Sequence, residues 1–130
     1  MTIQQAQVIP EGFPGSVPEF IVIQTLRRFG LLEGIDYSYQ TPFFGGRQEK
    51  GGLVIDFLFS NPPDLAINVQ GEFFHLEQGA DIIARDRLAK AQLAGEGITL
   101  IFINAEDVLS DPERYVQAAL NYSDLSGIGG

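Results

Sequence analysis

The sequence contains no cysteine. That excludes a disulfide framework, a thiolate zinc site and a thiol nucleophile together. Basic residues are scarce as well: eight lysines and arginines stand against seventeen aspartates and glutamates, a formal charge of −9. Such a chain is repelled from nucleic acid at long range, which excludes a protein that coats DNA or RNA through bulk charge. A local basic rim is still allowed, and acidic oxygens are what hold a hard metal ion. Long apolar runs are also missing: none reaches the ~18–20 residues that cross a bilayer. The stretch MTIQQAQVIPEGFPG lacks both the basic start and the apolar middle of a signal peptide. The expectation is a soluble, cytoplasmic protein with no membrane partner.

What is present is the balance of a globular chain, with 45% hydrophobic and 19% charged residues over 130 positions. That length suits one domain with one hydrophobic core. Residues 1–15 carry two prolines and two glycines without a sustained period, and read as an N-terminal arm or loop. A single domain is expected over 16–122, followed by a flexible tail at 123–130 that ends in Ser126-Gly127-Ile128-Gly129-Gly130.

Ser16-Val17-Pro18-Glu19 is a helix start, with serine at the cap, proline in the first turn and glutamate three residues on. The apolar positions that follow carry this helix to about Phe29, next to Gly30. Tyr37 to Thr41 has strand composition and is expected to end at Pro42, with a glycine-flanked hairpin loop over 45–52. Leu53-Val54-Ile55-Asp56-Phe57-Leu58-Phe59 is a buried strand, and the Asn61-Pro62-Pro63-Asp64 turn leads into another, Leu65 to Gln70. An amphipathic helix is expected from Asp81 to Leu93, a strand from Ile98 to Ile103, and a last helix from Asp111-Pro112 to about Asn121. The order α-β-β-β-α-β-α implies an α/β fold, a mixed four-stranded sheet flanked by helices.

Asp56 is the first candidate for chemistry, because an aspartate inside an apolar strand is costly to bury unless a cation meets it. A salt bridge or a solvated sheet rim would also explain it. Asn68 and Gln70 lie two apart and share one strand face, where in the obvious register Asp56 joins them. Taken alone, two amides on a strand face are ordinary surface residues. Gly71-Glu72-Phe73-Phe74-His75 then places a glycine bend, two aromatics and the one histidine just past the strand end, where sites concentrate.

An aspartate in an apolar strand, a turn, a strand ending Val-Gln-Gly, then Glu-Phe-Phe-His and a helix with Arg-Asp-Arg resembles the PD-(D/E)XK nuclease superfamily. Within it the pattern is most similar to the very-short-patch-repair endonucleases and their small phage and bacterial relatives, over roughly residues 16–120. The resemblance implies a restriction-endonuclease-like core and a Mg²⁺- or Mn²⁺-dependent endonuclease, with distorted or branched DNA as the expected substrate.

Carried over by position, Asp56 matches the metal-binding aspartate. Asn68 falls where most members have a second acid, and Gln70 where most have lysine. In the repair endonucleases the metal leans on the aspartate and on the backbone carbonyl that matches Val69, and their active-site histidines match Gln70 and His75. Phe73 and Phe74 match the pair wedged between bases. Glu19 matches an acid on the first helix, although its capping position accounts for it equally. Arg85, Arg87 and Lys90 would contact phosphates, or form a solvated helix face. The cysteine-bound zinc of the repair enzymes has no counterpart, so their mismatch specificity does not carry over. A catalytically degenerate module kept for binding or assembly is the alternative. A homodimer, or docking of the N-terminal arm in a larger assembly, is left open.

Overall fold

A computed structural model describes residues 9–46, 52–71 and 79–127, with only the backbone of 79–82. The chain folds as helix α1 (Val17–Arg28), strands β1 (Tyr37–Phe43), β2 (Leu53–Phe59) and β3 (Leu65–Gln70), helix α2 (Gly79–Gly95), strand β4 (Thr99–Asn104) and helices α3 (Ala105–Ser110) and α4 (Pro112–Leu120). The sheet order is β1-β2-β3-β4. β1–β2 and β2–β3 pair antiparallel, while β4 lies parallel to β3 after the α2 crossover. The expected mixed α/β sheet flanked by helices is therefore present.

Local chemistry fixes the ends of these elements. Ser16 is extended and its side chain accepts from the Glu19 N–H at 3.3 Å, satisfying one orphan donor of α1. Gly30, at φ 87°, releases the chain from the helix in a conformation that other residues rarely adopt. β1 continues through Pro42 instead of ending there, with Pro42 opposite Val54. β1 ends the strand order, and an edge strand tolerates a residue without an N–H. Two helices follow β4 where one was expected. The extra one, α3, is too short to show an amphipathic period.

Two apolar clusters sandwich the sheet. The larger joins Ile21, Val22, Ile23 and Leu26 of α1 to Tyr37, Phe57, Phe59, Leu65, Ile67, Ile101 and Ile103, with Val108 and Val116. The other joins Ile55, Ala66, Leu100 and Phe102 to Leu93 of α2, with Phe43, Leu53 and Leu58 against it. Strand side chains normally alternate between faces, so Ile55 and Phe57 should share one. They do not: Ile55 lies in the second cluster and Phe57 in the first. The same break occurs in β1, where Tyr39 packs on the first cluster and Phe43 on the second. Both strands roll over between them. The roll sits at Gln40, which has φ 57°, and at Asp56, which falls opposite it between the Tyr39–Phe57 and Thr41–Ile55 pairs.

Residues 123–127, expected to belong to a loose tail, lie along β4. Asp124 accepts from the Phe102 N–H at 3.1 Å and from the Ser126 N–H at 2.9 Å, while Asn104 donates to the Ser126 carbonyl. Among the described residues no helix is long and apolar enough to cross a membrane.

Candidate active site at the β2–β3 fork

The β2–β3 ladder pairs Phe59 with Leu65, Leu58 with Ala66 and Phe57 with Ile67, and then stops. Beyond it the strands are joined by side chains. The Asp56 N–H donates to Asn68 Oδ1 at 2.7 Å, and the Val69 N–H donates to Asp56 Oδ2 at 2.8 Å. The carboxylate thus lies between the strands, held by a backbone donor. In extended backbone a residue's N–H and C=O project to the same strand edge, so the Val69 carbonyl turns toward the same gap. Asn68 suits this place because its amide oxygen accepts the N–H without setting a second anion beside Asp56.

Glu19 of α1 bonds to β1. Its Oε1 accepts from the Tyr39 hydroxyl, and its Oε2 accepts from Ser16 Oγ at 3.0 Å. Tyr39 precedes the roll at Gln40, whose amide donates to its oxygen at 3.4 Å. Burial, the bond to Glu19 and the charges of Glu19 and Asp56 together push the Tyr39 phenol up. Asp56, Asn68 and Val69 are brought together at the fork, while Glu19 is tied to Tyr39 on the neighbouring strand β1. Sequence reasoning missed Tyr39, whose only signal was its place two residues after Tyr37 on the same strand.

Gln70 points elsewhere. Its side-chain nitrogen donates to Asp86 Oδ2 on α2. Burial pushes the Asp86 carboxyl up to about 6, with Arg85 pulling the other way. Arg85 and Arg87 are exposed on α2. Lys90 has a different setting: its ammonium lies 3.1 Å from Asp124 Oδ2 and 5.9 Å from the Phe102 ring centre. That ammonium neutralises a half-buried acid, which leaves it poorly placed for phosphate.

Phe73, Phe74 and His75 lie outside the described residues. Among the described residues no group of three or more histidine, cysteine, aspartate or glutamate side chains could hold a metal ion. The donors that fit a hard cation are the Asp56 carboxylate, the Val69 carbonyl and the Glu19 carboxylate. Asn68 Oδ1 accepts the Asp56 N–H and keeps one lone pair. No protein-family model, curated protein or solved structure matches this chain.

Proposed function

We propose that the chain is a divalent-metal-dependent DNA endonuclease with a restriction-endonuclease-like core. The observation that carries this reading is the opened β2–β3 ladder. It sets a carboxylate between two strands and fixes it on the Val69 N–H. A Mg²⁺ or Mn²⁺ ion held by such oxygens polarises a phosphate and lowers the pKa of a bound water. Asp56 and the Val69 carbonyl are the inner donors in this reading, and Glu19 would act through a water. Gln70, anchored to Asp86 through its nitrogen, is left out of the water's path in this reading. His75 follows β3 closely and is the proposed general base or acid. Phe73 and Phe74 are the proposed wedge for distorted or branched DNA, and Arg85 and Arg87 the phosphate contacts.

Titration with Mn²⁺ tests the site directly. Binding is expected in the wild type and is expected to vanish in Asp56→Ala. Cleavage of nicked, branched or single-stranded DNA should vanish with it. Saturable binding that survives Asp56→Ala would sink the reading.

A second reading, a nuclease-fold module that binds or assembles without cutting, has one observation in its favour. The amides at both atypical positions are engaged inside the protein, Asn68 with the Asp56 N–H and Gln70 with Asp86. It predicts Mn²⁺ binding at Asp56 with every DNA substrate left intact.

A further inference from the structure

We infer that residues 124–127 form an autoinhibitory strap: Asp124 holds Lys90 in the place of a phosphate, and a phosphate-bearing polyanion that takes Lys90 lifts the strap from β4. Only the identification of that polyanion as DNA rests on the proposed function.

One oxygen carries the coupling. Asp124 Oδ2 accepts from the Lys90 ammonium at 3.1 Å and from the Phe102 N–H at 3.1 Å. A ligand that draws the ammonium away leaves a half-buried carboxylate without its counter-charge, at the same atom that ties the strap to the strand edge. Lys90 is within reach of such a ligand, since 26% of its side chain is exposed against 13% for Asp124. Arg87 lies three residues earlier on α2, so the two cations are neighbours along the helix surface.

Polar bonds, more than burial, keep the strap down. Leu125, its one large apolar side chain among the described residues, is 48% exposed. A segment with so little apolar burial opens at low cost. The hinge is Ser123, whose N–H stays on the Ala118 carbonyl at 2.9 Å. The closed state also leaves Asn104 poorly satisfied. Asn104 stands at the cap position of α3 but makes no capping bond, because its side-chain nitrogen serves the Ser126 carbonyl at 3.3 Å. Its oxygen is buried without a partner. An asparagine in that position ordinarily accepts from a helix N–H, and an orphan acceptor is costly. Lifting the strap frees the amide to cap α3, which offsets part of what the strap gives up.

Amide exchange of the full chain, alone and with tripolyphosphate or a branched DNA, tests this at the Phe102 N–H. Either polyanion should speed Phe102 exchange at least about tenfold, as for the loss of one charge-assisted hydrogen bond, while the amides of β2 keep their rates. Lys90→Gln should abolish the response. Asp124→Asn releases Lys90, so DNA binding should tighten and its log–log salt slope steepen by about 0.9. Adding Lys90→Gln to Asp124→Asn should remove both gains. Gains that persist in the double variant reflect net charge alone and overturn the inference. Polyanion binding at an unchanged Phe102 rate also overturns it and leaves the DNA reading standing, whereas a chain that binds neither polyanion overturns both. Tripolyphosphate that lifts the strap while DNA stays unbound supports the strap and removes DNA from the proposed function.

Discussion

At Asn68 the structure gives the side-chain amide a definite role. The amide oxygen accepts the Asp56 N–H across the fork at 2.7 Å. Asn68→Asp retains an acceptor but adds an anion beside Asp56. Without metal its melting temperature should fall below the wild type, and saturating Mn²⁺ should raise it by more than it raises the wild type. Paired thermal melts with and without metal check this. Asp86 offers a second test. Folded, its carboxyl titrates near 6 against an ordinary 3.8, because burial disfavours its charge. Between those values the folded chain holds a proton that the unfolded chain has lost, so stability falls as pH rises from about 4 to about 6. Asp86→Asn keeps the acceptor for Gln70 and should flatten that slope. The gain at neutral pH should be about 1 kcal/mol once screening of a half-exposed carboxyl is discounted, as read by urea denaturation at several pH values.

At the scale of elements, the segment after α4 acts as a clasp on β4. Burial alone would raise Asp124, but bonds from Ser126, the Phe102 N–H and Lys90 outweigh it and hold the carboxyl below its usual range. The stabilisation is therefore present above the ordinary carboxylate pKa and is lost as pH falls through the lower folded value. Asp124→Ala strands the Phe102 N–H and the Lys90 ammonium, and should cost about 1–3 kcal/mol at pH 7. The loss should shrink in acid. Chemical denaturation at two pH values reads both.

The same scale shows what was legible beforehand. β2 and β3 match their expected residues because each is a dense apolar run bounded by glycine or proline, and the Ser16 cap starts α1 where expected. The union of Asp56 and Asn68 followed from strand register. The clasp was not visible, because a lone aspartate in a Ser- and Gly-rich stretch carries no period. Nor was the roll-over, which depends on a positive φ at Gln40 that composition does not encode. The diversion of Gln70 to Asp86 required knowing that α2 crosses over that face.

For the whole molecule, the charge of −9 sets the terms on which DNA could be met. Lys90 is paired to Asp124, and the whole chain carries only eight lysines and arginines. Binding to branched DNA, measured across salt concentrations, should therefore have a shallow log–log slope, no steeper than about −3. A much steeper slope would reveal a larger basic surface than α2 presents.

The roll-over also governs how the molecule comes apart. Strands β1 and β2 each place side chains in one apolar cluster before the roll and in the other after it, so neither cluster owns its own strands. Melting either side drags the shared strands out of the other, and separate sub-global openings have no seam to follow. Amide exchange near Ile55 and near Phe57 should accordingly converge on the same, global opening free energy, and thermal unfolding should be a single transition by every probe. The aspartate at the fork then belongs to the last part of the protein to open.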